Sequence, residues 1–251
     1  MEVNARIFFL GTGAAMPIVR SLPCIALKID SDIYLIDPGE GCQARMFRSG
    51  LSPLKVKAVF ITHGHGDHYL GLPGLLQSMT LSDRKDPLIV AVPKSFREIL
   101  TGLFKTGFVR PGFKIELRDI VPDVFYTDSK ISVKGFPVEH GIEAYGLSIT
   151  IGKKTVCYTS DTAPCTSIIE NCKNVDILIH EATFTSIYSK EAHEQKHSTA
   201  LDAAENALEA EAKLLVLFHI SARHSDEEVF IDAYRVFRNT IVATDKLILI
   251  L

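Results

Sequence analysis

The stretch Thr62-His63-Gly64-His65-Gly66-Asp67-His68 follows the apolar run Val56–Ile61 and places three of the chain's nine histidines, with an aspartate, inside six positions. An apolar run of that length reads as a buried strand, so whatever fold forms must deliver a dense set of ligating side chains to the end of a sheet. His63, His65 and Asp67 alternate with two glycines. An extended or turning backbone then aims alternate side chains the same way, and residues lacking a Cβ let the loop turn tightly around an ion. A nitrogen-rich set with one carboxylate suits zinc, with iron or manganese as alternatives, better than calcium or magnesium. Four such ligands crowd a single ion, so further ligands are expected from elsewhere. His140, Asp161 and His219, each closing an apolar run, are the candidates.

Those runs recur along the chain: ARIFFLGTG, CIALKID, DIYLIDPG, VKAVFITHG, PLIVAVP, KISVKGFPVEH, GLSITIG, KTVCYTSD, VDILIHEAT, KLLVLFHIS and KLILIL. Several alternate with period two, and the rest are continuous enough for buried strands. Helical periodicity appears in LPGLLQSM, SFREILTGLF, TALDAAENALEAEA and DEEVFIDAYRVFRN, with hydroxyl or acidic residues placed to start helices. The pattern is α/β, two sheets covered by helices. No repeat or linker interrupts it, so residues 1–251 are assigned to one domain.

With 251 residues, 47% of them hydrophobic, the chain is long enough to bury a sizeable core. A net charge of -3 gives no global basic footprint. No segment approaches the roughly 18 apolar residues of a membrane span, and "IFFL" is too short for a secretory core. Cys24, Cys42, Cys157, Cys165 and Cys172 form an odd set without CxxC spacing, which favours neither a disulfide framework nor a thiolate metal site. No membrane partner and a cytoplasmic location are expected.

His63, His65, Asp67 and His68, followed by separated His140, Asp161 and His219, resemble the metallo-β-lactamase superfamily, and the matches run from "FLGTGAA" through "LIDPGEG" to "LFHISAR". The resemblance implies an αβ/βα four-layer sandwich with two zinc ions per chain. It implies that His63, His65 and His140 hold one zinc and Asp67, His68 and His219 the other, with Asp161 bridging. Asp67 then counts among the catalytic residues as well.

"LIHEATF" at 178–184 and "KHSTALDAAENA" at 196–207 resemble motifs of the ribonuclease Z family, endonucleases that trim precursor transfer RNA on its 3' side. That resemblance makes His197 the acid that protonates the leaving oxygen and Glu181 its orienting carboxylate. The chemistry agrees, because a positioned imidazolium donates a proton at physiological pH and a carboxylate partner fixes the ring. Ser198 or Thr199 caps the helix that follows. His180 and His193 read as structural or solvated. Arg223 in "FHISARH" is the candidate phosphate partner, although the aromatic residue usual after it is His224 here.

The family usually inserts an arm that grips transfer RNA between the residues matching His140 and Asp161. Only twenty residues separate them here, reading as strand, turn and strand. Residues 94–118, with six basic side chains against two acidic ones, are the candidate substitute RNA surface. Three readings stay open: a phosphodiesterase acting on precursor transfer RNA, a small-molecule phosphodiesterase of the same fold, and a non-catalytic relative. A homodimer is what the resemblance implies.

Overall fold

In the computed structural model, which describes residues 4–107 and 109–251, the chain divides into two compact units. Residues 1–3 of the N-terminal run and Phe108 of the basic segment lie outside the described residues. The first unit takes in the described residues up to Gly11, with Ser21–Ile120 and Asp245–Leu251; the second comprises Thr12–Arg20 and Val121–Thr244.

The first unit is built on strands β1 (Ala5–Gly11), β2 (Cys24–Ile29), β3 (Asp32–Ile36), β4 (Val56–Phe60), β5 (Leu88–Val92) and β6 (Ile115–Asp119). They lie side by side in chain order, and the C-terminal strand Ile248–Ile250 adds beyond β1. β1 to β3 pair antiparallel, and β3 to β6 pair parallel. Helices α1 (Cys42–Arg48), α2 (Gly66–Tyr69), α3 (Leu72–Leu81) and α4 (Lys94–Lys105) complete the unit. α3 buries Leu72, Leu75, Leu76 and Met79, the i, i+3, i+4, i+7 stripe that docks a helix onto a core.

The second unit carries β7 (Val124–Thr127), β8 (Ser132–Pro137), β9 (Tyr145–Ile151), β10 (Lys154–Tyr158), β11 (Ile177–Glu181), β12 (Leu215–Phe218) and β13 (Thr240–Val242). They too lie in chain order, antiparallel from β7 to β10 and parallel from β10 to β13. Its helices are α5 (Thr166–Asn171), α6 (Ser189–Glu194), α7 (Ala200–Glu209) and α8 (Asp226–Tyr234). α7 buries Ala200, Ala203, Ala204 and Ala207, small residues that let a helix approach its neighbours closely. Thr199 and Ser225 close capping boxes with Asp202 and Glu228, a reciprocal arrangement that satisfies donors a helix start otherwise leaves open.

Each sheet is therefore half antiparallel and half parallel. The parallel half matters for chemistry, because side chains beyond the carboxyl ends of parallel strands face a crevice where ligands bind.

Two differences from the sequence reading concern cysteines and the basic segment. Cys24 pairs with Cys42, and Cys157 with Cys172, as disulfides with Cα–Cα distances of 6.0 and 5.6 Å. Spacings of 18 and 15 residues hid both pairs, because folding rather than local sequence brings β2 to α1 and β10 to the end of α5. Within the basic segment, Lys94–Lys105 form a helix and Ile115–Asp119 a half-buried sheet-edge strand. Arg97 is paired with Asp119 at 2.7 Å, and Lys114 and Arg118 approach Glu116 at 2.7 and 4.0 Å, so half of the six cations have acidic neighbours.

Candidate metal and acid–base centre

In the first unit β3 delivers Asp37 and β4 delivers Thr62 and His63, one residue and two to three residues beyond their ends. Asp37 is 1% exposed. Its Oδ1 accepts from the Thr62 amide at 2.7 Å, and its Oδ2 accepts from the Thr62 hydroxyl at 2.7 Å and from His68 Nδ1 at 2.9 Å. Because the Thr62 hydrogen is given to Asp37, the Thr62 oxygen is left to accept from His63 Nδ1, 3.2 Å away. His63 and His68 thus carry their protons on Nδ1, leaving each Nε2 lone pair for a ligand.

The segment is extended only as far as His65, where one turn of helix, α2, begins. Asp67 and His68 are presented from that turn rather than from the alternating backbone the glycine spacing suggests. Gly64 has a negative φ and is needed for room: a Cβ there would stand 2.8 Å from the Phe96 ring. Gly39, in "DPGEG", has a similar reason, since a Cβ would come within 2.1 Å of the Asp67 carbonyl oxygen. The rings of His65 and His68 stand 4.8 and 4.1 Å from that of His63, and Asp67 Oδ2 lies 3.4 Å from His68 Nε2.

In the second unit the same rule operates at three parallel strands. Asp161 follows β10, Glu181 ends β11 and His219 follows β12; His140 sits in the connection between β8 and β9, and His197 just before α7. His219 Nε2 is 3.4 Å from Asp161 Oδ2, and the rings of His140 and His219 lie 5.3 and 5.6 Å from that of His197. Again each imidazole is anchored at Nδ1: His140 against the Lys196 carbonyl at 3.0 Å, His219 against the Thr183 hydroxyl at 2.8 Å, and His197 against Glu181 Oε1 at 2.8 Å.

Glu181 is fully buried. Burial alone would push its carboxyl up, but the charge and hydrogen bond of His197 outweigh that and hold it below the ordinary carboxylate range. Its oxygens also accept from the amides of Thr162 and Thr183 at 2.8 and 3.2 Å and from the Thr183 hydroxyl at 2.7 Å. An acceptor-only carboxylate leaves His197 Nδ1 as the donor. His180, in the same motif, is structural as its sequence context suggests. It is wholly buried, with Nδ1 against the Glu181 carbonyl at 2.7 Å and Nε2 against Asn206 at 2.9 Å, and burial pushes its pKa down. His193 reaches Asp202 at 3.0 Å near the surface.

Backbone strain gathers at these positions. Asp37, Ser160, Lys196 and His219 have φ of 46°, 60°, 60° and 57°, the left-handed region that costs a non-glycine residue about 1–3 kcal/mol and persists where its surroundings over-determine it. Each either carries a centre residue or immediately precedes one. Arg223 donates to Glu191 at 3.0 Å, and its guanidinium lies 5.0 Å over the Phe184 ring, which stands 6.3 Å from the His197 ring. The anchors Thr62, Thr183 and the Lys196 carbonyl had no signal in the sequence.

The donor set fits divalent metal. Ligating histidines characteristically give their other ring N–H to an oxygen acceptor, and His63, His68, His140 and His219 all stand against one. Within the second unit alone, ligand atoms of Glu181, His197 and His219 lie within 4.8 Å of one another. Among the described residues, no helix is long and apolar enough to cross a membrane.

Comparison with known proteins agrees with this chemistry. The Beta-lactamase superfamily domain model matches residues 33–220. Ribonuclease Z of Sulfurisphaera tokodaii is 36% identical, over 94% of this chain and 95% of its own length, and that of Ignicoccus hospitalis is 34% identical, over 96% and 97%. The latter alignment extends over 290 residues, more than the 251 this chain possesses, so the relative carries inserted positions absent here. Among solved structures, the short form of human tRNase Z (ELAC1) superposes with a TM-score of 0.83 at 28% identity, covering 97% of this chain and 98% of that one. The metallo-β-lactamase fold protein YhfI of Bacillus subtilis superposes at 0.88 over 99% and 100%, and its 22% identity speaks for the fold alone. The chain therefore has the metallo-β-lactamase fold and belongs to the Beta-lactamase superfamily and, within it, to the ribonuclease Z family.

Proposed function

We propose that the chain is a zinc-dependent phosphodiesterase of the ribonuclease Z type, cleaving precursor transfer RNA on its 3' side, with both units acting as one hydrolase domain over residues 1–251. The observation that carries the reading is the 2.8 Å bond between His197 Nδ1 and buried Glu181, in the unit that also presents His140, Asp161 and His219. His63, His65 and His140 would hold one ion, Asp67, His68 and His219 the other, and Asp161 would bridge, with iron or manganese as alternatives to zinc. Bound divalent ions supply Lewis acidity that polarises a phosphoryl oxygen and acidifies water. Phosphodiester cleavage leaves an alkoxide that needs a proton. His197 would give it: Glu181 holds the ring at Nδ1, so Nε2 would be the delivering atom. Arg223 would steady a non-reacting phosphate by exchanging Glu191 for it. A cytoplasmic homodimer is part of the proposal.

A second reading, a small-molecule phosphodiesterase, is favoured by one observation. Between His140 and Asp161 the chain holds only β9, a turn through Gly152 at φ 58° and β10, which leaves no length for an RNA-gripping arm. The test is to give zinc-loaded protein a precursor transfer RNA with a 3' trailer and, in parallel, a chromogenic phosphodiester. Endonucleolytic removal of the trailer is the expected result. Turnover of the small ester alone would replace the first reading with the second.

A further inference from the structure

Thr183 takes part in none of the steps above, yet its hydroxyl stands among three groups of the centre. The residue is 6% exposed. Its Oγ1 lies 2.7 Å from Glu181 Oε2, 2.8 Å from His219 Nδ1 and 3.4 Å from His197 Nδ1. A hydroxyl has one hydrogen to give and lone pairs to offer. The ionised Glu181 can only accept, so the Thr183 hydrogen points at Oε2. The Thr183 oxygen must then accept from His219 Nδ1. This chain of donors fixes the tautomer of His219 and turns its Nε2 towards Asp161 Oδ2, 3.4 Å away.

His219 is a residue whose pose needs such support. Its backbone is in the left-handed region, at φ 57°, and the next residue is tied on both sides by Ile220 N donating to the Thr12 carbonyl and Ala14 N donating to the Ile220 carbonyl, each at 3.1 Å. Those bonds fix the main chain and leave rotation of the imidazole to be set by what Nδ1 meets. Glu181 in turn divides its oxygens, Oε1 taking His197 and Oε2 taking Thr183. Hydrogen bonds in series polarise one another, so a change at either histidine is felt by the other through Thr183 and the carboxylate.

We propose that Thr183 is a positioning residue whose hydroxyl couples the metal ligand His219 to the acid pair of Glu181 and His197. The proposal rests on the roles given above to His219 and His197. It makes zinc affinity and proton delivery depend on one side chain that touches neither the ion nor the substrate.

Thr183→Val keeps the shape and removes the hydroxyl, Thr183→Ala removes it without adding a methyl, and Thr183→Ser keeps it. Zinc affinity is measured by competition with a chelator, and turnover with a chromogenic phosphodiester. The valine and alanine variants are expected to bind zinc about 10–100-fold more weakly, the range for lost partners of metal ligands, and, when saturated with zinc, to show a lower kcat with KM unchanged. The serine variant is expected to restore both. Wild-type zinc affinity in the valine and alanine variants would overturn the proposal, as would a serine variant as impaired as they are. Zinc affinity is read without substrate. A wild-type protein that leaves phosphodiesters intact would therefore contradict the proposed function while Thr183 is still decided.

Discussion

In the first unit four candidate metal ligands come from six consecutive residues, and Asp37 and Thr62 hold two of them in register. In the second, three candidates come from positions between 140 and 219, each set by a different strand end or connection, and the proposed acid–base pair of His197 and Glu181 belongs to the same unit. The device is shared, an imidazole anchored at Nδ1, but the anchors differ. His68 gives its proton directly to a carboxylate, whereas His219 meets a neutral hydroxyl with the carboxylate one bond further on. Asp37 serves two candidate metal ligands, His68 directly and His63 through the Thr62 hydroxyl. Glu181 stands between His219, reached through the Thr183 hydroxyl, and His197, the proposed acid, so it can serve metal binding and proton transfer together. Under the proposed function, the first unit holds metal, and the second holds metal and moves a proton.

The largest expected effect that tests this division is Asp161→Ala. The second unit then loses the proposed bridging ligand, so metal analysis should find fewer than two ions per chain and phosphodiester turnover should fall to background. A variant retaining both ions would refute the bridging role. Next in size is His197→Ala, which should cut phosphodiester turnover by about 100-fold or more, the range for a lost general acid, with metal content unchanged. Unchanged turnover would remove the distinction between the two units. Smallest is Asp37→Asn, which keeps the shape of the anchor in the first unit but not its charge. It should weaken zinc binding about 10–100-fold in chelator competition, with kcat close to wild type once zinc is saturating. A kcat loss as large as that of His197→Ala would show that the first unit also serves the proton step.

Legibility in the sequence followed the same division. The loop from His63 to His68 stands out in the sequence because its imidazoles and carboxylate are nearly adjacent, and His140, Asp161 and His219 stand out as candidates because apolar runs stop there. A cap at Ser198 or Thr199 was readable because capping is a local pattern, and Thr199 is the residue that closes the box. Thr62 and Thr183 were not, since a threonine beside a strand end looks like any other until the fold shows what its hydroxyl meets. The Lys196 carbonyl that holds His140 has no side-chain signature at all. β6 was missed because IELRD is charged and only half-buried, an edge strand without an apolar face. The two disulfides were missed because their partners are joined by folding across 18 and 15 residues.

The proposed function requires His63, His68, His140 and His219 to serve one pair of ions through Nε2, with their Nδ1 atoms held by oxygen acceptors. Anomalous diffraction at the zinc edge from crystals of zinc-loaded protein tests it most directly. Two peaks per chain are expected, ligated by Nε2 of His63, His68, His140 and His219, with Asp161 contacting both. A single peak, or coordination through Nδ1 with the oxygen anchors released, would contradict it.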